Sequence, residues 1–332
     1  MSTSVSENVI QMDSVSRRFN GFAAVNDLSL EVPPGIILGI IGPSGSGKTT
    51  AVRMLTGTLQ PSAGWIRVLG EEPRRFRRAT RERIGYMPQL FSLYPDLTAR
   101  ENLGFVAALY GQSWLTRRHT VRRALEMVDL WDARRTRARN LSGGMQRRLQ
   151  LACAVVHDPQ LLLIDEPTAG IDPMLRSTIW DELRAMRDEG RTLLVTTQYV
   201  AEAEYCDRIA LLAEGELIAF DAPEELRRSV FGGEVLELEA DRPLLPGVLA
   251  GVAEVTAVHQ RDARRLMLTV TDAGVATPRI IDALRAEDIG TTSLEEVRPS
   301  FDDIFRELVE RRQAAERPAA PEALSEEPAR VA

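Results

Sequence analysis

The sequence predicts an α/β protein with a mostly parallel sheet, on three observations. Ile36-Ile37-Leu38-Gly39-Ile40-Ile41, Leu161-Leu162-Leu163-Ile164 and Thr192-Leu193-Leu194-Val195-Thr196 are short apolar runs of the kind that form strands buried on both faces. Segments of helical periodicity separate them, the pattern of a crossover-connected sheet. The first run also feeds a glycine-rich turn, Gly42-Pro43-Ser44-Gly45-Ser46-Gly47-Lys48-Thr49-Thr50, from which a helix over Thr49 to Thr58 can start.

The remaining elements follow in chain order. Alternation over Ser4 to Val15 and Leu28 to Val32 predicts opening strands of an antiparallel edge. From about 90 to 158 there is little β-branched alternation and much helical spacing, as in Val121, Leu125 and Val128, which predicts a helical insert. Near Ser229 the texture changes. Val235 to Glu239 and Leu266 to Val270 read as strands, and Ser300 with Asp303 caps a helix that presents Phe301, Ile304, Phe305 and Leu308 on one face. The division is thus 1–228 for the first domain and 229–312 for a small C-terminal α/β domain. From 313 to 332, Ala, Pro and Glu with few large apolar side chains predict a disordered tail. There is no internal repeat.

Composition sets limits. A length of 332 residues with 44% hydrophobic content suits about two domains with sizeable cores. A net charge of −7 argues against nonspecific nucleic-acid binding as the main activity. Cys153 and Cys206 form neither a CxxC pair nor a metal-ligand cluster, so a reduced compartment is expected. The amino end does not read as a secretory signal, and no run approaches the ~18 apolar residues of a membrane span.

Of 41 basic side chains, one is a lysine, Lys48. A compact ammonium on a flexible stem follows a phosphate into a tight backbone loop better than a planar guanidinium does. The residues around it fit G-x-x-x-x-G-K-[ST] between strand and helix, the P-loop pattern. Gly42, Gly45 and Gly47 allow successive N–H groups, with those of Ser44, Ser46, Lys48, Thr49 and Thr50, to point at β- and γ-phosphate oxygens. The Thr49 hydroxyl is the expected Mg²⁺ ligand. Asp165 and Glu166 close the apolar strand at its carboxyl end, where an α/β sheet places its ligand. Asp165 suits the metal shell, and Glu166 suits the role of base toward an attacking water. Ser142 can cap a helix whose first residues, Gly143 and Gly144, leave amides open to an anion.

The glycine loop, Leu141-Ser142-Gly143-Gly144-Met145 and Leu161 to Glu166, in this order and spacing, resemble the ATP-binding subunit of an ABC transporter over residues 5 to about 228. The resemblance implies a P-loop ATPase core with ATP and Mg²⁺ as cofactors. It implies that Phe19 stacks on adenine, with Phe22 close enough to compete. Gln89 would touch Mg²⁺ and water and link the insert to the sheet, and Asp172 would lie in a loop crossing a dimer interface. Two such subunits would face head to tail, each ATP lying between one glycine loop and the other LSGG helix. A separate membrane-spanning permease subunit, placement at the cytoplasmic face of the membrane, and no nucleic acid complete the expectation.

One position departs from the pattern: Thr196-Thr197-Gln198-Tyr199 carries an amide where the family usually has His. Gln198 can donate to a γ-phosphate but cannot become a cation. Glutamine there, and a C-terminal domain ending near Pro299 to Phe305, resemble the drug-resistance exporter branch, daunorubicin-type, with slowed but real hydrolysis expected. The alternatives are a non-transport ABC ATPase of translation or DNA repair, and a nucleotide-gated module with little hydrolysis. The arginines between Arg74 and Arg83 read as a solvated face. Phe91 to Asn102 is either the surface that receives the membrane subunit or part of the core of the insert, and both readings stand at this point.

Overall fold

A computed structural model describes residues 8–316. The chain opens with β1 (Ile10–Phe19) and β2 (Phe22–Val32), which pair antiparallel. β1 runs four residues past the expected end at Val15 and β2 starts six residues before the expected Leu28, because register shifts after Met12 and Val15 break the period of two that marks a strand in sequence. The expected strand residues 4–7 lie outside the described residues. With β4 (Ala63–Val68), β1 and β2 form a three-stranded sheet in the order β2-β1-β4.

The buried run forms β3 (Ile37–Ile41), followed by α1 (Lys48–Leu55). This helix stops three residues short of the expected Thr58. Gly57 has φ +76° and lies where a Cβ would come 2.4 Å from the Pro73 carbonyl oxygen, so the chain turns there rather than continuing. After a short α2 (Arg78–Arg81) comes β5 (Ile84–Met87). The insert is helical as expected, with α3 (Ala99–Leu109), α4 (Trp114–Met127) and α5 (Gly143–Val155) around a core that includes Val121, Leu125, Val128 and Leu149. A reciprocal Thr98/Glu101 capping box starts α3.

The sheet then continues with β6 (Leu161–Asp165), α6 (Pro173–Asp188), β7 (Thr192–Thr197), β8 (Arg208–Ala213) and β9 (Glu216–Asp221). Its order is β5-β6-β7-β3-β8-β9, parallel except for β9. Residues of β3, β6 and β7 are buried throughout, which is why these strands read as unbroken apolar runs. Cys153 and Cys206 are free and buried in different cores. Burial pushes the Cys153 thiol up to about 12 and Cys206 higher still.

Helix α7 (Pro223–Phe231) runs across position 228. Beyond it, β10 (Glu234–Ala240), β11 (Val255–Gln260), β12 (Arg265–Val270), α8 (Ala273–Ala286) and β13 (Thr291–Glu296) give an antiparallel sheet ordered β11-β12-β10-β13, with its own core around Leu236, Leu268 and Ile280. Then α9 (Phe301–Glu316) starts at Ser300, whose hydroxyl accepts from Asp303 N at 3.3 Å and donates to the Asp303 carboxylate at 2.8 Å. Phe301 and Ile304 are buried, together with Trp180, Val230 and Phe231, in a core on one face of the six-stranded sheet, so the C-terminal unit is anchored there rather than standing apart. The predicted tail lies outside the described residues, save that its first four positions complete the last turn of α9.

Candidate ATP site

In the parallel register Thr196 on β7 lies beside Ile40 on β3 and Asp165 on β6. The loops leaving β3, β6 and β7 therefore meet at one sheet edge, the carboxyl ends of the strands, where such folds bind ligands.

The glycine loop is shaped by contacts that exclude side chains. A Cβ on Gly42 would stand 2.1 Å from the Leu212 carbonyl oxygen, and Gly47 combines φ +100° with a 2.4 Å approach to the Ala24 carbonyl. Gly45, at φ +84°, has nothing within 4 Å of where a Cβ would be, so the cradle is open on that side. Lys48 is buried, and its Nζ donates to the carbonyl oxygens of Gly42 at 2.8 Å and Pro43 at 2.9 Å. It also stands 3.7 Å from Glu166 Oε1. Burial lowers the Lys48 pKa, and the carboxylates of Glu166 and Asp165 partly restore it.

The acids lie opposite. Thr49 Oγ1 donates to Asp165 Oδ1 at 3.2 Å and Thr196 Oγ1 to the same oxygen at 2.5 Å. Among the described residues the other oxygen, Asp165 Oδ2, is buried without a hydrogen-bond partner, as is Ser46 Oγ in the loop. A buried carboxylate oxygen left unpaired beside a threonine hydroxyl is a donor set that fits Mg²⁺, and Thr49 and Asp165 are the residues that would hold it. Glu166 has φ +51°, a conformation that costs a residue with a side chain of order 1 kcal/mol and concentrates at functional sites. Its N–H donates to Thr196 Oγ1 at 3.0 Å, and its Oε2 accepts from Gln89 Nε2 at 2.8 Å. Gln198 is exposed at the end of β7, and its Oε1 accepts from Ser44 Oγ at 3.2 Å, which leaves the amide N–H groups as its donors.

The structure thus brings Lys48, Thr49, Asp165, Glu166, Gln89, Ser44 and Gln198 together. Thr50 follows in the first turn of α1. Ser142 caps α5 by accepting from Met145 N at 3.3 Å, and Asp172 caps α6 by accepting from Leu175 N at 3.0 Å. Of the two signature glycines, Gly143 borders open space, whereas a Cβ on Gly144 would meet Leu175 Cδ2 at 2.3 Å, so Gly144 serves the packing of α5 on α6. Among the described residues no hydrogen bond joins Ser142, Gly143 or Asp172 to the glycine loop. Phe19 is half exposed at the end of β1, with the Arg17 guanidinium 4.6 Å over its ring, and Phe22 across the turn is more exposed.

Sequence reasoning missed Thr196, whose place beside Asp165 comes from strand order, and Arg147, whose burial comes from helix packing. After Gln89 the chain exposes Leu90 (74%), Phe91 (45%) and Tyr94 (50%) but buries Leu93. Leu93 belongs to the insert core, whereas Leu90, Phe91 and Tyr94 stay outside it. Arg74, Arg75, Arg77, Arg78, Arg81 and Arg83 are all exposed, as a solvated face requires, and three of them pair with Glu72, Glu71 and Glu82.

Residues 25–169 match the ABC transporter family, and residues 222–309 match the C-terminal domain of ATP-binding proteins of the DrrA1-3 type. The chain is 38% identical over 307 residues to Nod factor export ATP-binding protein I of Burkholderia lata, covering 91% of this chain and 97% of that protein. It is 36% identical over 310 residues to the probable multidrug ABC transporter ATP-binding protein YbhF of Escherichia coli, covering 92% of this chain and 53% of that protein. Among solved structures, the ATP-binding subunit of an ABC transporter aligns with TM-score 0.62 at 26% identity over 68% of this chain and 93% of that one. A cassette dimer in a post-hydrolysis state with ADP and Pi aligns with TM-score 0.60 at 26% identity over 64% of this chain and 98% of that one. With a P-loop, two strand-end acids and a glutamine gathered at one sheet edge, and relatives that match along nearly its whole length, the chain belongs to the ATP-binding subunits of ABC transporters, ATPases coupled to transport, and carries the DrrA-like C-terminal domain.

Proposed function

We propose that this subunit powers export of a drug-like or amphipathic compound through a separate membrane-spanning permease, hydrolysing ATP between two copies of itself. The contact that carries the proposal is Gln89 Nε2 on Glu166 Oε2 at 2.8 Å, with Lys48 on the other carboxylate oxygen side at 3.7 Å. The carboxylate is held by its neighbours in position to accept a proton from water. Backbone amides of the glycine loop and Lys48 bind the β- and γ-phosphates. Mg²⁺, when bound, neutralises charge that develops on the phosphate oxygens. Gln198 donates from its amide to the γ-phosphate, a hydrogen bond from a donor that stays neutral in place of an imidazole.

In this reading Ser142, Gly143 and Asp172 have no glycine-loop contact within one chain because they face the loop of the second copy, and Phe19 stacks on the adenine. Leu90, Phe91 and Tyr94 lie directly after Gln89 and give the permease an apolar surface whose movement reaches Glu166 through Gln89. Relatives named for Nod factor export and multidrug transport support an amphipathic cargo. The test is purification of the tagged chain from detergent-solubilised membranes of its own cell: a polytopic membrane protein in stoichiometric yield, lost on Phe91→Asp, is expected. Copurification with ribosomes or DNA instead would reject export.

A further inference from the structure

Arg147, on the first turns of α5, is the most connected side chain near the site and has no part in the chemistry described so far. It is 8% exposed, and among the described residues no carboxylate pairs with it. All five guanidinium N–H donors are instead used on neutral acceptors. Nε donates to Pro167 O at 3.1 Å. Nη1 donates to Pro88 O at 3.1 Å, Gln89 O at 2.9 Å and Gln150 Oε1 at 3.3 Å. Nη2 donates to Asp165 O at 2.7 Å and to Glu166 O. One fork therefore binds the backbone of two loops at once, Pro88-Gln89 and Asp165-Glu166-Pro167.

Those loops carry the two side chains that meet at 2.8 Å, Gln89 and Glu166. The left-handed backbone at Glu166 is strained, and a strained residue keeps its conformation only when its surroundings over-determine it. Lysine at this position has three donors on a single nitrogen and cannot span both loops. We propose that Arg147 is a positioning residue for hydrolysis: by clamping the Gln89 and Glu166 carbonyls from the LSGG helix, it sets the register of the amide against the carboxylate and makes α5 and the base move together. Gln150, one turn on, extends the clamp by donating from Nε2 to Leu90 O at 2.9 Å.

The proposal rests on the ATPase reading, so wild-type turnover is measured beside each variant; an inactive wild type counts against that reading, whereas the comparisons below judge the clamp. In the full-length chain, Arg147→Lys is expected to lower kcat about tenfold or more while the ATP dissociation constant stays within about twofold, since the glycine loop is untouched. A general packing defect would instead lower melting temperature and ATP affinity together. In a Gln89→Ala background the same substitution is expected to cost about twofold or less, because the amide it positions is already gone. Unchanged kcat, or an equal loss in both backgrounds, overturns the proposal. Should Arg147→Lys not fold, Gln150→Ala decides: about threefold lower kcat at unchanged ATP affinity supports the clamp, and wild-type kcat refutes it.

Discussion

Thr196 donates its hydroxyl to Asp165 Oδ1 at 2.5 Å and accepts the Glu166 N–H at 3.0 Å, so one β7 side chain orients both acids of the neighbouring strand end. Asp165 Oδ2 has no hydrogen-bond partner among the described residues and is the oxygen that would face a cation. In the proposed reading Thr196 thus supports metal binding and the base together.

Thr196→Val keeps the shape and removes both hydrogen bonds. A bond to a charged group is worth about 1.5–3 kcal/mol, so turnover is expected to fall about tenfold or more, with a raised Mg²⁺ requirement. Steady-state phosphate release titrated against Mg²⁺ checks this; a curve matching wild type would mean that the strand holds Asp165 without the hydroxyl.

Lys48→Ala deletes the cation that bridges the loop carbonyls and Glu166. ATP affinity is expected to fall about 100-fold, the loss of a charge-assisted phosphate contact. Calorimetry reads the dissociation constant directly, and an unaltered value would remove the glycine loop from the site.

Gln198→His restores a group that can become a cation while losing the bond from Ser44. Turnover is expected to hold or rise. A severe drop in phosphate release would show that the local geometry is built around the amide.

Much of this was legible in the sequence, for identifiable reasons. Strands β3, β6 and β7 are buried on both faces and so appear as apolar runs, and the glycine loop is a contiguous motif whose atoms act next to where they are written. The end of β1 and the start of β2 are not legible because bulges interrupt their alternation, and β9 and β11 carry mixed side chains on half-exposed faces. Strand order is not written locally, so the meeting of Thr196 with Asp165, 31 residues apart in sequence, was invisible. Arg147 is one of two adjacent arginines, and nothing in that pair tells which is buried; the packing of α5 against two loops does. The anchoring of α9 in the first core was equally hidden, although the apolar face of Phe301 and Ile304 was plain.

In the proposed cycle two copies close around ATP and Glu166 then activates water. Glu166→Gln keeps the phosphate contacts and removes the base, so ATP is expected to stay bound and the closed state to accumulate. Sedimentation velocity of this variant with ATP and Mg²⁺ reads that closure. A stable dimer that reverts to monomer when ATP is withdrawn is the predicted result, and monomer alone at saturating ATP would contradict it.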